Sequence, residues 1–136
     1  MNGADHDLGT SQFKSKRTSG LRRILGACVY SWAGLRQAWH GEQAFRQELC
    51  VAVPASVLAL ALPLRPLEKL SLIAVLILLL LVELLNSAIE AAIDRVSLDA
   101  HPLARNAKDF GSAAVMLAVV LVAAPWSVVL WPLLFA

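Results

Sequence analysis

The chain has 136 residues, the length of one domain, and 58% of them are hydrophobic against only 16% charged. That apolar surplus exceeds what a soluble domain of this size carries, so part of it must face lipid. A formal net charge of +2, with no arginine-rich tract interleaved with aromatics, argues against nucleic acid as a partner. Cys28 and Cys50 have neither metal-ligand spacing nor a disulfide framework around them and read as small packing residues.

Residues 1–20 are polar and rich in Gly and Ser, without the apolar run of a cleavable signal, and read as a disordered tail. A single domain is expected over 21–136. From Leu21 the apolar residues Ile24, Leu25, Cys28, Val29, Trp32, Leu35 and Trp39 recur three or four apart, while Arg22, Arg23, Arg36 and Gln37 fall largely elsewhere on the wheel. The pattern predicts an amphipathic helix over 21–40 lying in the membrane surface, its arginines near anionic head groups and its tryptophans in the interfacial layer.

Three apolar stretches follow. The run Leu49 to Leu64 spans roughly 24 Å at about 1.5 Å per residue, short of a hydrocarbon layer of about 30 Å. The first membrane helix is therefore expected to reach back to about residue 45 and to end near 64. The second is expected over about 68–94 and the third over about 110–135, with turns at PLRP (63–66) and around His101-Pro102. The fold class is thus an all-α integral membrane protein, a surface helix followed by three transmembrane helices.

Lysine and arginine set the orientation. Seven precede residue 49 and three lie between 95 and 108, against two in the turn at 65–69. The rule that cytoplasmic loops hold the excess of positive charge puts the N-terminus and the second loop in the cytoplasm and the C-terminus outside.

The second membrane helix carries the unusual residues. Glu83 follows thirteen residues, Leu70 to Val82, that are apolar apart from Ser71. A carboxylate at that depth costs about 2.5–3.5 kcal/mol even on lenient insertion scales. At about 100° per residue, Glu83, Asn86, Ser87, Glu90 and Asp94 share an arc of about 100°. They form one polar stripe descending from the cytoplasmic surface. Oxygen ligands of this kind suit Mg²⁺, completed by substrate phosphates and water. Lys108 and Asp109 open the third helix near that face, and Glu42 and Glu48, beside Arg46, bring more carboxylates. The same stripe could instead be interhelical hydrogen bonding or part of an ion pathway, although the outer half of the helix offers a pathway no exit. No Walker loop, dinucleotide fingerprint or protein-kinase motif set is present.

The run VELLNSAIEAAIDR (82–95), with AKDFGSAAV (107–115) after it and YSWAGLRQAW (30–39) and GEQAFRQE (41–48) before it, resembles the bacterial membrane diacylglycerol kinases. The match covers about residues 20 to 135. The resemblance implies that Glu83 is the general base, with Asn86 orienting it or the phosphate. It implies that Glu42 and Glu90 hold Mg²⁺ on the ATP phosphates and that Lys108 meets the γ-phosphate. Arg23, Tyr30, Asp99, His101 and Asp109 would border the nucleotide. Arg23, Ser31, Trp32, Arg36, Trp39, Ala44, Gln47, Glu48, Glu83 and Ser112 would line the lipid head region. It further implies a homotrimer in the bacterial inner membrane with sites shared between subunits. Gly26 stands where the family often has lysine, and Phe110 where methionine is common.

The expected function is ATP-dependent phosphorylation of diacylglycerol to phosphatidic acid at the cytoplasmic face. The alternatives are undecaprenol kinase, a branch of the same family, and a non-catalytic membrane assembly or ion-pathway protein.

Overall fold

The computed structural model describes residues 20–96 and 101–135, and every regular element among them is a helix: α1 (Gly20–Gly41), α2 (Gln43–Ala61), α3 (Pro66–Val96) and α4 (Pro102–Phe135). The tail expected over 1–20 lies outside the described residues except for Gly20, which opens α1. The chain divides into two compact units, residues 1–33 and residues 34–136. In the first, Ile24, Leu25, Val29, Tyr30 and Trp32 of α1 are all exposed.

In the second unit, α2, α3 and most of α4 (Pro102–Pro132) are each long and apolar enough to cross a membrane. Their boundaries follow local chemistry. Ahead of α3, the backbone N–H of Arg65 donates to Oε2 of Glu68 at 2.9 Å, and the guanidinium Nε donates to Oε1 of the same carboxylate at 2.8 Å. With Pro66 as the first helical residue, this is one half of a capping box. At the end of α2, the Lys69 Nζ donates to the carbonyl of Leu60 at 2.7 Å, closing the short turn between the two helices. His101 caps α4: its Nδ1 accepts from the N–H of Leu103 at 3.2 Å, and Pro102 again takes the first helical position.

α4 therefore begins well before the membrane segment expected from about residue 110. The polar stretch ARNAKDF continues the helix outward because its start is determined by His101 and Pro102 and not by hydropathy. α2 likewise stops at Ala61, three residues short of the apolar run, because Pro63 and the extended backbone at Leu62 end it. Pro54, Pro125 and Pro132 lie inside helices. Hydroxyls that would otherwise be unpaired in lipid bond back to their own helix, Ser56 to Ala52, Ser71 to Leu67 and Ser127 to Ala123, at 2.7–2.8 Å.

α3 packs against both α2 and α4. Its buried residues are Leu72, Leu76, Leu79 and Glu83, in steps of four, three and four. α2 buries Phe45, Ala52 and Ala59, seven apart, and α4 buries Gly111 and Ala118, again seven apart. The buried seam of the central helix carries large leucines, while small residues, Ala52, Ala59, Gly111 and Ala118, dominate the buried seams of its neighbours. Only 17%, 22% and 11% of the most apolar stretches of α2, α3 and α4 are buried within the chain. The rest of that surface is left for lipid or for other polypeptide.

Candidate functional site

The buried seam of α3 continues past Leu79 into Glu83, so the carboxylate occupies a core position and not a lipid-facing one. It is 4% exposed, and it is the one buried charged side chain among the described residues. Its seat follows from the three-and-four step of the helix: whatever rotation buries Leu72, Leu76 and Leu79 must bury residue 83 as well. An ionised carboxylate held there is unfavourable unless its surroundings give it a task or a partner.

Other carboxylates bear on it through charge. Glu83 lies within charge–charge reach of Glu90 on its own helix and of Glu42 at the start of α2, and Glu48 on α2 lies within reach of Glu83. Glu42 is the residue between α1 and α2, with extended backbone (φ −104°, ψ 116°), and its side chain makes no capping bond to α2. The carboxylate that could have capped its own helix is left to the cluster. The turn is held by Arg46, whose Nη1 donates to the carbonyls of Trp39 at 3.1 Å and His40 at 3.2 Å. Arg46 is thus committed to the end of α1, a structural task that its place between two glutamates in the sequence did not disclose. Glu48 is half-buried, and its Oε2 has no hydrogen-bond partner among the described residues.

One turn beyond Glu83, Asn86 is half-buried between α3 and α4 and donates from Nδ2 to Oε1 of Glu90 at 3.2 Å. Nearer the helix end, Lys108 of α4 donates to Oδ1 of Asp94 at 2.6 Å. Asp109 points elsewhere, pairing loosely with Arg105 at 3.8 Å while remaining exposed. The stripe of α3 therefore meets α2 at its deep end and α4 at its shallow end.

Of the residues expected at the site, Asn86 and Glu90 are hydrogen-bonded, Glu83 is buried one turn deeper on the same helix, Glu42 bears on it through charge, as Glu83 does on Glu48, and Lys108 joins the stripe through Asp94. His101 serves as a helix cap. Ala44, Gln47 and Ser112 are exposed, as are Arg36 and Trp39 at the end of α1. Arg23, Tyr30, Ser31 and Trp32 belong to the first unit, where all are exposed. Asp99 lies outside the described residues. Gly111 was not singled out by the sequence. It is buried on α4, and a Cβ there would collide with the Asn86 amide oxygen and lie 3.2 Å from its Cγ. The signal available was a glycine inside an otherwise unbroken helical pattern.

No three His, Cys, Asp or Glu side chains among the described residues are grouped closely enough to hold a metal by themselves. The donors present are oxygen alone, and the cluster of acids would welcome positive charge.

Three membrane-length helices, the central one carrying a buried carboxylate, define a polytopic helical membrane protein. The model of the prokaryotic diacylglycerol kinase family matches residues 29–130, and the chain belongs to that family. It is 47% identical over 123 residues to a diacylglycerol kinase of Pseudomonas aeruginosa, covering 90% of this chain and 98% of that one. It is 44% identical over 117 residues to the diacylglycerol kinase of Escherichia coli K12, covering 86% and 96%. A Haemophilus influenzae diacylglycerol kinase is 36% identical over 115 residues, covering 85% and 98%.

Proposed function

We infer that this protein is a membrane kinase that transfers the γ-phosphoryl group of ATP to diacylglycerol, giving phosphatidic acid and ADP. The relatives that cover nearly their whole length with this chain are diacylglycerol kinases, and they lend nothing to the undecaprenol reading. The observation that carries the reading within the molecule is Glu83, a carboxylate buried in a helix seam and facing the charges of Glu90 and Glu42. A structural role in packing needs no such concentration of like charge.

In this reading Glu83 takes the proton of the lipid's primary hydroxyl. The freed oxygen attacks the γ-phosphorus, and the bond from that phosphorus to the bridging oxygen of ADP breaks. Glu42 and Glu90 would hold Mg²⁺ with the phosphates, and the ion supplies charge neutralisation when bound. Asn86, bonded to Glu90, keeps that carboxylate oriented. Lys108 exchanges Asp94 for a phosphate oxygen, a trade between two anions that an exposed pair allows at small cost. Asp109 and His101 border the nucleotide, and the arginines and tryptophans of α1 serve the lipid head group. The enzyme works at the cytoplasmic face of the inner membrane as a homotrimer, in which a neighbour's α2 can complete the site.

Purified protein with Mg-ATP and either diacylglycerol or undecaprenol tests the reading directly. Phosphatidic acid formation with diacylglycerol is expected. Phosphorylation of undecaprenol alone would reassign the substrate, and an absence of lipid-stimulated ATP turnover would return the cluster to helix packing or ion movement.

A further inference from the structure

Glycine is the poorest helix former after proline, and α4 carries one in its membrane half, at Gly111, with no turn or positive φ to call for it. The demand comes from α3. The place a Cβ would occupy is taken by the Asn86 side chain, whose Oδ1 lies against that position and whose Cγ is 3.2 Å from it. Gly111 is buried, so the amide cannot move outward into lipid without leaving the helix interface. The same Oδ1 has no hydrogen-bond partner among the described residues, so its immediate neighbour is the glycine Cα hydrogen that stands in for a side chain. On its other side the amide donates to Glu90 at 3.2 Å.

We propose that Gly111 is a positioning residue for phosphoryl transfer: its lack of a side chain admits the Asn86 amide between α3 and α4 and so holds the Asn86–Glu90 hydrogen bond in register. The inference rests on the reading of Glu90 as a group that serves the nucleotide phosphates. A methyl group at 111 forces the amide to rotate or withdraw. Rotation of χ2 alone brings the NH₂ against the methyl group in place of the oxygen, so the amide is displaced in either orientation and Glu90 loses its donor. Because alanine favours the helix more than glycine does, a contribution of Gly111 to helix stability alone would have the opposite sign.

The test is a double-mutant cycle with Gly111→Ala, Asn86→Ala and the pair, each purified in detergent and assayed for kcat, for KM of Mg-ATP and for KM of diacylglycerol. Each single variant is expected to lose about tenfold or more in kcat/KM for Mg-ATP, as for a hydrogen bond to a charged group, with the KM for lipid unchanged. The double variant should be no worse than Asn86→Ala, because the space the methyl group needs is then empty. If the two losses multiply, or if Gly111→Ala is near native, the proposal is overturned and Gly111 serves packing independently of Asn86. Should Gly111→Ala fail to assemble, the double variant is expected to recover the assembly and activity of Asn86→Ala. A double variant that also fails shows that the methyl group meets something other than Asn86, and the proposal falls. A near-native Asn86→Ala, by contrast, discards the assignment of the Asn86–Glu90 pair to the nucleotide whatever Gly111 does.

Discussion

In the proposed reaction Glu83 is the base, and its position predicts how it fails. It lies seven residues deeper along α3 than Glu90, about 10 Å at 1.5 Å per residue, where a lipid hydroxyl can reach it and nucleotide phosphates stay nearer the surface. Glu83→Gln is expected to abolish phosphoryl transfer with a loss of about 10²–10⁴-fold in kcat, while ATP binding, insertion and assembly persist. Removing a costly buried charge should leave the fold no weaker. Near-native turnover of the variant, or dissociation in detergent with activity surviving in the remaining oligomers, would show a glutamate that holds helices together. That Glu83 stood in an apolar run was legible without a structure. The part played by Arg46 was not, because its place between two glutamates carries no mark of the carbonyls at the end of α1 that it meets.

The helices fit by size complementarity, and the fit gives a second prediction. Ala59 on α2 is fully buried, and Ala118 on α4 is 2% exposed. Without a hydrophobic drive between helices in lipid, close approach of small residues supplies much of the packing energy. Ala59→Leu and Ala118→Leu are each expected to destabilise by about 1–3 kcal/mol through overpacking, read as a shortened half-life of activity on heating in detergent. Unchanged thermal inactivation in both would mean that these seams are looser than their burial indicates. The interhelical pair of Lys108 and Asp94 sits at the other extreme. Its side chains are 39% and 52% exposed, so screening leaves it little weight in stability, and in the proposed reaction it presents Lys108 to an incoming phosphate.

At the scale of the whole molecule, orientation and assembly decide whether the site can work. The proposed orientation, argued from the excess of Lys and Arg before residue 49 and between 95 and 108, has the shallow end of the α3 stripe on the side where ATP is found. An alkaline phosphatase fused after Ala136 should therefore be active. An inactive fusion, paired with an active cytoplasmic reporter at the same point, would invert the topology and take ATP out of reach of Glu90. The proposed sharing of sites between subunits makes a further demand. Glu42→Gln and Glu90→Gln are each expected to raise the Mg²⁺ requirement, since the amide keeps the shape but loses the charge. Mixing the two inactive proteins should restore part of the activity through oligomers that contain one intact pair. Unaltered Mg²⁺ dependence in both would remove them as ligands, and a mixture with no recovery would confine each site to a single chain.

Three membrane spans and a carboxylate stripe from Glu83 to Asp94 are properties of the sequence by itself. Both depend on composition and on the period of one helix, and neither needs a neighbour to be defined. The resemblance of the blocks around them extended that reading to a family and a set of residues. The tertiary structure alone decided that α4 starts at Pro102 under a histidine cap, that Arg46 ties off α1, and that Asn86 bonds to Glu90. It alone placed Gly111 beneath Asn86. Contacts of this kind depend on the rotation and register of segments far apart in the chain, which the packing of large against small side chains selects and which no spacing within a single helix records.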